Sequence, residues 1–145
     1  MKRFAIVGLK RTGSSYLVNL LGHHPQIHCC GEIFNRDGVN LRWPKAMGGR
    51  PAGRGIEREL KELRARDPKE FLSRVLAIDF GKPVQGFKIF HKHNKPMLER
   101  ILDDPGIAKI VHRRENGLAR YASALAARAA GDSGRHAQKP PVEFD

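Results

Sequence analysis

Residues 4–21 read Phe4-Ala-Ile-Val-Gly-Leu-Lys-Arg-Thr-Gly-Ser-Ser-Tyr-Leu-Val-Asn-Leu-Leu21. The segment begins with a short apolar run, Phe4 to Leu9, which is typical of a strand that is buried on both faces of a parallel sheet. A polar turn with Gly13 follows, and apolar residues then recur at helical spacing. A strand, a tight glycine turn and a helix direct backbone N–H groups and the positive end of the helix dipole at one spot. The segment therefore predicts a binding site for phosphate or a similar anion.

The residues of this turn differ from those of a nucleoside triphosphatase loop. That loop reads G-x-x-x-x-G-K-[ST], with a Lys for the terminal phosphates and a hydroxyl for Mg²⁺. Gly8 and Gly13 have the same spacing, but Ser14 stands where the Lys would be, and the cations Lys10 and Arg11 precede the second glycine. We therefore predict a loop that holds an anionic group without a metal. Gly13 would let the backbone turn closely around the ligand.

The composition bounds the possible partners and location. The chain has 145 residues, enough for one domain, and no apolar stretch approaches the roughly 20 residues of a transmembrane helix. The N-terminal residues are a poor secretion signal, so we expect a cytoplasmic protein. The net charge of +12 makes polyanions candidate partners. The basic residues are scattered, however, and no nucleic-acid motif is present, so we predict no specific nucleic-acid partner.

The two cysteines, Cys29 and Cys30, are adjacent in the sequence. Neighbouring residues of a strand point to opposite faces and rarely form a disulfide bridge. The chain also lacks the cysteine spacing of a zinc site. We therefore expect both residues to be small buried hydrophobes.

Strand and helix patterns alternate along the rest of the chain. The predicted elements are a strand at 26–34, a long loop at 35–55, helices at 56–65 and from 68 onward, a strand at 86–90, a helix at 95–103, a strand at 107–112 and then an alanine-rich helix. This alternation predicts an α/β fold, with a central parallel sheet of about four strands and helices on both faces. Such a three-layer arrangement resembles that of P-loop kinases. We assign it to residues 1–130, followed by a weakly ordered tail at 131–145.

Polar side chains follow two of these strands. Glu32 is near the C-terminal end of the second strand, and that end of the strand would lie beside the anion loop. Lys88 and His91 come at the end of the third strand and could lie at the same site. The pair His91 and His93 also suggests a metal, but no third ligand is apparent, so we predict no metal site. A solvated carboxylate at Glu32 and an ordinary polar strand end at the histidines remain the alternative interpretations.

The loop resembles the 5′-phosphosulfate loop of sulfotransferases that use 3′-phosphoadenosine 5′-phosphosulfate (PAPS). Both carry a basic residue followed by Ser/Thr-Gly-Ser/Thr-Ser/Thr-aromatic, and residues 20–35 are similar to the segment that follows in bacterial and carbohydrate-acting members. The resemblance implies that the sulfuryl donor contacts Arg11, Thr12, Gly13, Ser14, Ser15 and Tyr16. It also implies that Arg11 is catalytic and that Glu32 is the general base, with His91 as the alternative base.

A second segment, residues 113–123, resembles the part of sulfotransferases that binds the 3′-phosphate of PAPS. There a strand-end Arg and a helical Ser hold this phosphate, and a guanidinium offers donors suited to it. The resemblance assigns these roles to Arg114 and Ser123, with Arg113 as the competitor of Arg114.

The two segments together imply sulfuryl transfer from PAPS to an acceptor hydroxyl, most simply of a carbohydrate or glycolipid. Family members generally continue with further helices, so the resemblance implies that this chain is short at its C-terminus. Two alternatives stay open: an ATP-dependent phosphotransferase, and a non-catalytic module that binds polyanions or nucleotides. The sequence predicts neither the acceptor nor the oligomeric state.

Overall fold

A computed structural model describes residues 1–44 and 55–129 of the chain. In these residues the elements are the strands β1 (Lys2–Gly8), β2 (Ile27–Glu32), β3 (Val84–Phe90) and β4 (Ile107–His112) and the helices α1 (Ser14–His23), α2 (Gly55–Arg66), α3 (Pro68–Ala77), α4 (Lys95–Asp103) and α5 (Gly117–Ala129). The predicted tail at 131–145 and residues 45–54 of the predicted loop lie outside the described residues. Within that part of the chain, no helix is long and apolar enough to cross a membrane.

The four strands form one parallel sheet in the order β2-β3-β1-β4. β1 lies between β3 and β4, with Phe4 opposite Gly86 on one side and Ala108 on the other. The predicted α/β fold with four parallel strands is confirmed. Because all strands run the same way, their C-terminal ends meet at one edge of the sheet, where open α/β sheets bind ligands.

Helices cover both faces of the sheet, which gives three layers. Phe4 and Ile6 of β1 pack with Val18 of α1 on one face. Ala5, which points to the opposite face, belongs to the larger hydrophobic core. That core includes side chains of α2, α3 and α4, namely Leu60, Phe71, Leu72, Val75, Leu76, Met97 and Ile101. Cys29 and Cys30 are both buried and not joined in a disulfide, as predicted.

Two helices begin where the sequence predicts them. Oδ1 of Asp67 accepts hydrogen bonds of 3.0 Å from the backbone N–H groups of Lys69 and Glu70, and Pro68 is the first residue of α3. The Asn94 side chain accepts a hydrogen bond of 3.0 Å from the N–H of Met97 in the first turn of α4. These caps fix the entry of α3 and α4 into the core.

Candidate functional site

The anion loop after β1 ends in a left-handed turn at Gly13. Gly13 has φ 91° and ψ 7° directly before α1, and its carbonyl accepts a 2.9 Å hydrogen bond from the N–H of Tyr16. No side chain caps α1 among the described residues. The N–H groups of the first turn therefore lack the partner that a capping side chain would supply, as expected of a site that receives an anion.

Two side-chain bonds hold the loop in this shape. Oγ1 of Thr12 donates to the carbonyl of Leu9 at 2.9 Å, and Nε2 of His112, at the end of β4, lies 2.9 Å from the carbonyl of Thr12. Because a carbonyl can only accept, Nε2 of His112 must carry a proton. Thr12 and Ser14 are buried. The His112 contact therefore attaches the loop to the end of the neighbouring strand β4.

Arg11 links the two segments that the sequence predicts to bind anions. Its Nε donates to Oγ of Ser123 in α5 at 3.1 Å, across 112 residues of sequence. Arg11 is exposed and has φ 64°, in the left-handed region that non-glycine residues rarely occupy. The exposed side chain of Arg114 forms no hydrogen bond or ion pair with the described residues, and Nη2 of Arg113 lies 3.8 Å from Oε1 of Glu115. Of the predicted 3′-phosphate residues, Ser123 is thus beside the loop.

Glu32 faces a buried lysine because β2 contains an irregularity. Cys29 is opposite Gly86 but Glu32 is opposite Lys88, so β2 has one more residue than β3 over this interval. Nζ of Lys88 lies 3.0 Å from Oε1 of Glu32 and donates to Oγ of Ser15 at 3.1 Å. The Lys88 side chain is 4% exposed. One buried ammonium therefore connects the predicted base with the anion loop.

His93, rather than His91, lies beside this carboxylate. Its Nε2 is 3.4 Å from Oε2 of Glu32, in a geometry that leaves the buried nitrogen without a hydrogen bond among the described residues. Nδ1 accepts a hydrogen bond from the N–H of Phe90 at 3.3 Å. The ring proton is therefore on Nε2, facing Glu32. His91 is exposed, and its side chain forms no hydrogen bond or ion pair with Glu32 within the described residues.

The surroundings of Glu32 determine its pKa. Burial of the carboxyl raises the pKa, but the contacts with His93 and Lys88 outweigh burial and lower the pKa from 4.5 to about 2. The carboxylate is consequently ionised at neutral pH. A carboxylate with so low a pKa is a weak base as long as these contacts hold.

A cleft of about 280 Å³ opens next to His93. It lies between the segment that follows β2, the middle of α2 and the turn before α4. Its lining residues include Phe34, Arg36, Lys61, Arg64, His93 and Asn94. The cleft therefore shares His93 with the Glu32 cluster.

The site residues that the sequence predicts fall into two groups. Those in the loop and its contacts lie together at the C-terminal edge of the sheet: Arg11, Thr12, Gly13, Ser14, Ser15, Glu32 and Ser123. Tyr16, His91 and Arg114 are exposed, and their side chains form no hydrogen bond or ion pair with these residues in the described chain.

The sequence predicts no site role for His112, and it suggests His93 only as the partner of His91 in a metal pair that lacks a third ligand. Their contacts depend on a turn after β3 and on the pairing of β4 with β1, which a single sequence does not reveal. The bulge that sets Glu32 opposite Lys88 has a usable signal, because Gly31 interrupts the strand pattern just before it.

Residues 1–44 and 55–129 contain no group of three or more His, Cys, Asp and Glu side chains that could hold a metal ion. Comparison of the chain with models of protein families, with curated proteins and with solved structures found no match.

Proposed function

We propose that the chain is a sulfotransferase that binds PAPS at the loop after β1 and passes its sulfuryl group to a hydroxyl of an acceptor. The observation that supports this most directly is the hydrogen bond between Arg11 and Ser123. It joins a residue assigned to the 5′-phosphosulfate with one assigned to the 3′-phosphate. PAPS carries both anionic groups on one ribose, at the 3′ and 5′ positions, so the residues that bind them must lie close together. A cytoplasmic location and a carbohydrate acceptor are further proposals that rest on the sequence.

The loop residues would hold the phosphosulfate. The uncapped first turn of α1 offers N–H groups, and Gly13 provides the backbone conformation that brings them around an anion. Lys88, nearly buried and in contact with Ser15, adds a positive charge at the same place. Charges that are fixed before the reaction stabilise the negative charge that develops on the oxygen of the leaving group.

Glu32 would receive the proton of the acceptor hydroxyl. The donor supplies the sulfuryl group when it is bound, and the protein has to supply the base. The carboxylate is ionised at neutral pH, and the cleft beside His93 gives an acceptor access to this region. An acceptor that displaces Lys88 or His93 from the carboxylate would raise its pKa and so strengthen it as a base.

A second candidate is a non-catalytic nucleotide-binding module. The observation that favours it is the low pKa of Glu32, since a carboxylate held at a pKa of about 2 is a weak base. The two candidates share the nucleotide site and differ in turnover alone.

Isothermal titration with adenosine 3′,5′-bisphosphate tests the site that both share. We expect the unmodified chain to bind the nucleotide. The affinity of Arg11→Gln should be lower by about tenfold or more, because a charge-assisted hydrogen bond contributes about 1.5–3 kcal/mol. Arg58→Gln, an exposed arginine of α2, is the matched control and should bind normally. A folded chain that does not bind the nucleotide, or binds equally well as Arg11→Gln, would refute the proposal.

Transfer of labelled sulfate from PAPS to a panel of sugars, in the presence of EDTA, separates the two candidates. Turnover that is lost in Glu32→Gln supports the enzyme, and nucleotide binding without turnover supports the binding module. A strict requirement for Mg²⁺ with ATP as donor would instead select a phosphotransferase.

A further inference from the structure

The cleft beside His93 has a one-sided charge. Among its described lining residues are the basic side chains of Arg36, Lys61 and Arg64, and none is acidic. Phe34, which is buried, supplies an apolar wall. Its volume of about 280 Å³ is close to the lower end of the range of small-molecule sites, roughly 300–1,000 Å³. The cleft therefore combines space for a small polar ligand with a surplus of positive charge.

The three cations have different tasks. Nη1 of Arg64 donates to the carbonyls of Ile33 and Gly38 at 2.8 and 3.0 Å, and burial lowers the pKa of Arg64. The hydrogen bonds of Arg64 therefore attach the segment after β2 to α2. Arg36 and Lys61 are exposed, and their side chains form no hydrogen bond or ion pair with other described residues. These two remain available to a ligand.

His93 connects the cleft to the proposed reaction centre. Its side chain is 6% exposed, it lines the cleft, and Nε2 is 3.4 Å from the carboxylate of Glu32. That buried nitrogen has no hydrogen bond in the described residues. A ligand in the cleft would consequently lie next to the base, with the basic side chains farther along the same wall.

We propose that the cleft is the acceptor site and that the acceptor is a sugar carrying its own negative charge, a carboxylate or a sulfate ester. This inference rests on the proposed sulfotransferase function and adds the class of acceptor to it. Arg36 and Lys61 bind the charged group, while a neutral hydroxyl of the same molecule lies toward Glu32. A neutral sugar would leave both cations unpaired and would gain little from the cleft.

The test compares three disaccharides that differ only at C6. The first is the neutral β-1,4-linked disaccharide of glucose, the second carries a carboxylate at C6, and the third is the C6 sulfate ester. Each is titrated into the full chain saturated with adenosine 3′,5′-bisphosphate. We expect at least one charged form to bind about tenfold more tightly than the neutral form. The better of the two charged forms identifies the group.

The variants assign that preference to the cleft. Lys61→Gln and Arg36→Gln should each reduce it about three- to tenfold, because both contacts are partly solvated. Lys69→Gln removes an exposed lysine outside the cleft and should leave the preference for the charged sugar unchanged. Equal binding of the three sugars, or equal effects of Lys61→Gln and Lys69→Gln, overturns the acceptor assignment. If the nucleotide still binds in that case, the proposed function stands. Failure of the nucleotide to bind overturns the proposed function, and the acceptor assignment with it.

Discussion

Nζ of Lys88 and Oε1 of Glu32 lie 3.0 Å apart at the C-terminal ends of two neighbouring strands. The pair exists because β2 has an extra residue between Cys29 and Glu32. The ammonium is almost fully buried, and the carboxylate is one-fifth exposed, at 21%. An ion pair in this position affects both the stability of the sheet edge and the chemistry of the carboxylate.

Substitution Lys88→Met should destabilise the protein by about 2–4 kcal/mol, because it leaves a largely buried carboxylate without its cation. Urea unfolding at neutral pH measures the loss. The double variant Lys88→Met with Glu32→Gln should recover part of it, since the uncompensated charge is then removed. If Lys88→Met alone is as stable as the unmodified chain, the ion pair contributes nothing to the free energy of unfolding.

The stabilising effect of Glu32 should depend on pH. Its pKa is lower in the folded chain, about 2, than the ordinary 4.5, so its contribution is complete above 4.5 and is lost as the pH falls toward 2. The difference in unfolding free energy between the unmodified chain and Glu32→Gln should therefore shrink over that range. Glu59→Gln, at an exposed position of α2, is the control. A difference that stays constant between pH 5 and pH 2.5 would contradict the assignment.

Gly13→Ala should destabilise the protein by about 1–2 kcal/mol, because an L side chain disfavours the left-handed backbone found there. An added Cβ would otherwise have room, with Nε2 of His112 at 3.9 Å as its nearest neighbour. Gly22→Ala within α1 is the matched control, since that Cβ meets nothing within 4 Å. It should raise stability by about 0.5–1 kcal/mol. Equal effects of the two substitutions on thermal unfolding would refute the conformational explanation.

The two thiols should be unreactive in the folded chain. Burial raises the pKa of Cys29 to about 12 and also raises the pKa of Cys30. The thiolate is the reactive form, so labelling by 5,5′-dithiobis(2-nitrobenzoic acid) at pH 8 should require unfolding. Both thiols should then react together in urea. Rapid labelling of either one in buffer alone would mean that β2 opens locally.

Much of the fold could be predicted from local patterns. The bounds of α4 and β4 are those that the sequence predicts, because Asn94 and the turn at Asp104 mark the ends of the helix chemically. Asp67 followed by Pro68 is an equally direct signal for α3. In such places the residues themselves supply the hydrogen bonds that begin or end an element.

The details of the site could not be predicted in the same way. Whether His91 or His93 faces Glu32 depends on how the chain turns after β3, where Nδ1 of His93 accepts from the N–H of Phe90. The partner of Glu32 depends on strand register, which a single inserted residue changes. Tertiary geometry of this kind is not encoded in residue spacing.

Helix α5 reaches the anion loop through Ser123, yet none of its 13 residues is buried. A helix of this length gains little stability from its own backbone, so it should fray and its amide protons should exchange quickly with solvent. An anion shared between Arg11 and Ser123 would slow that exchange while leaving the rate in the buried strand β1 unchanged. The helix can thus report, by deuterium uptake, whether the loop is occupied, before any reaction is assayed.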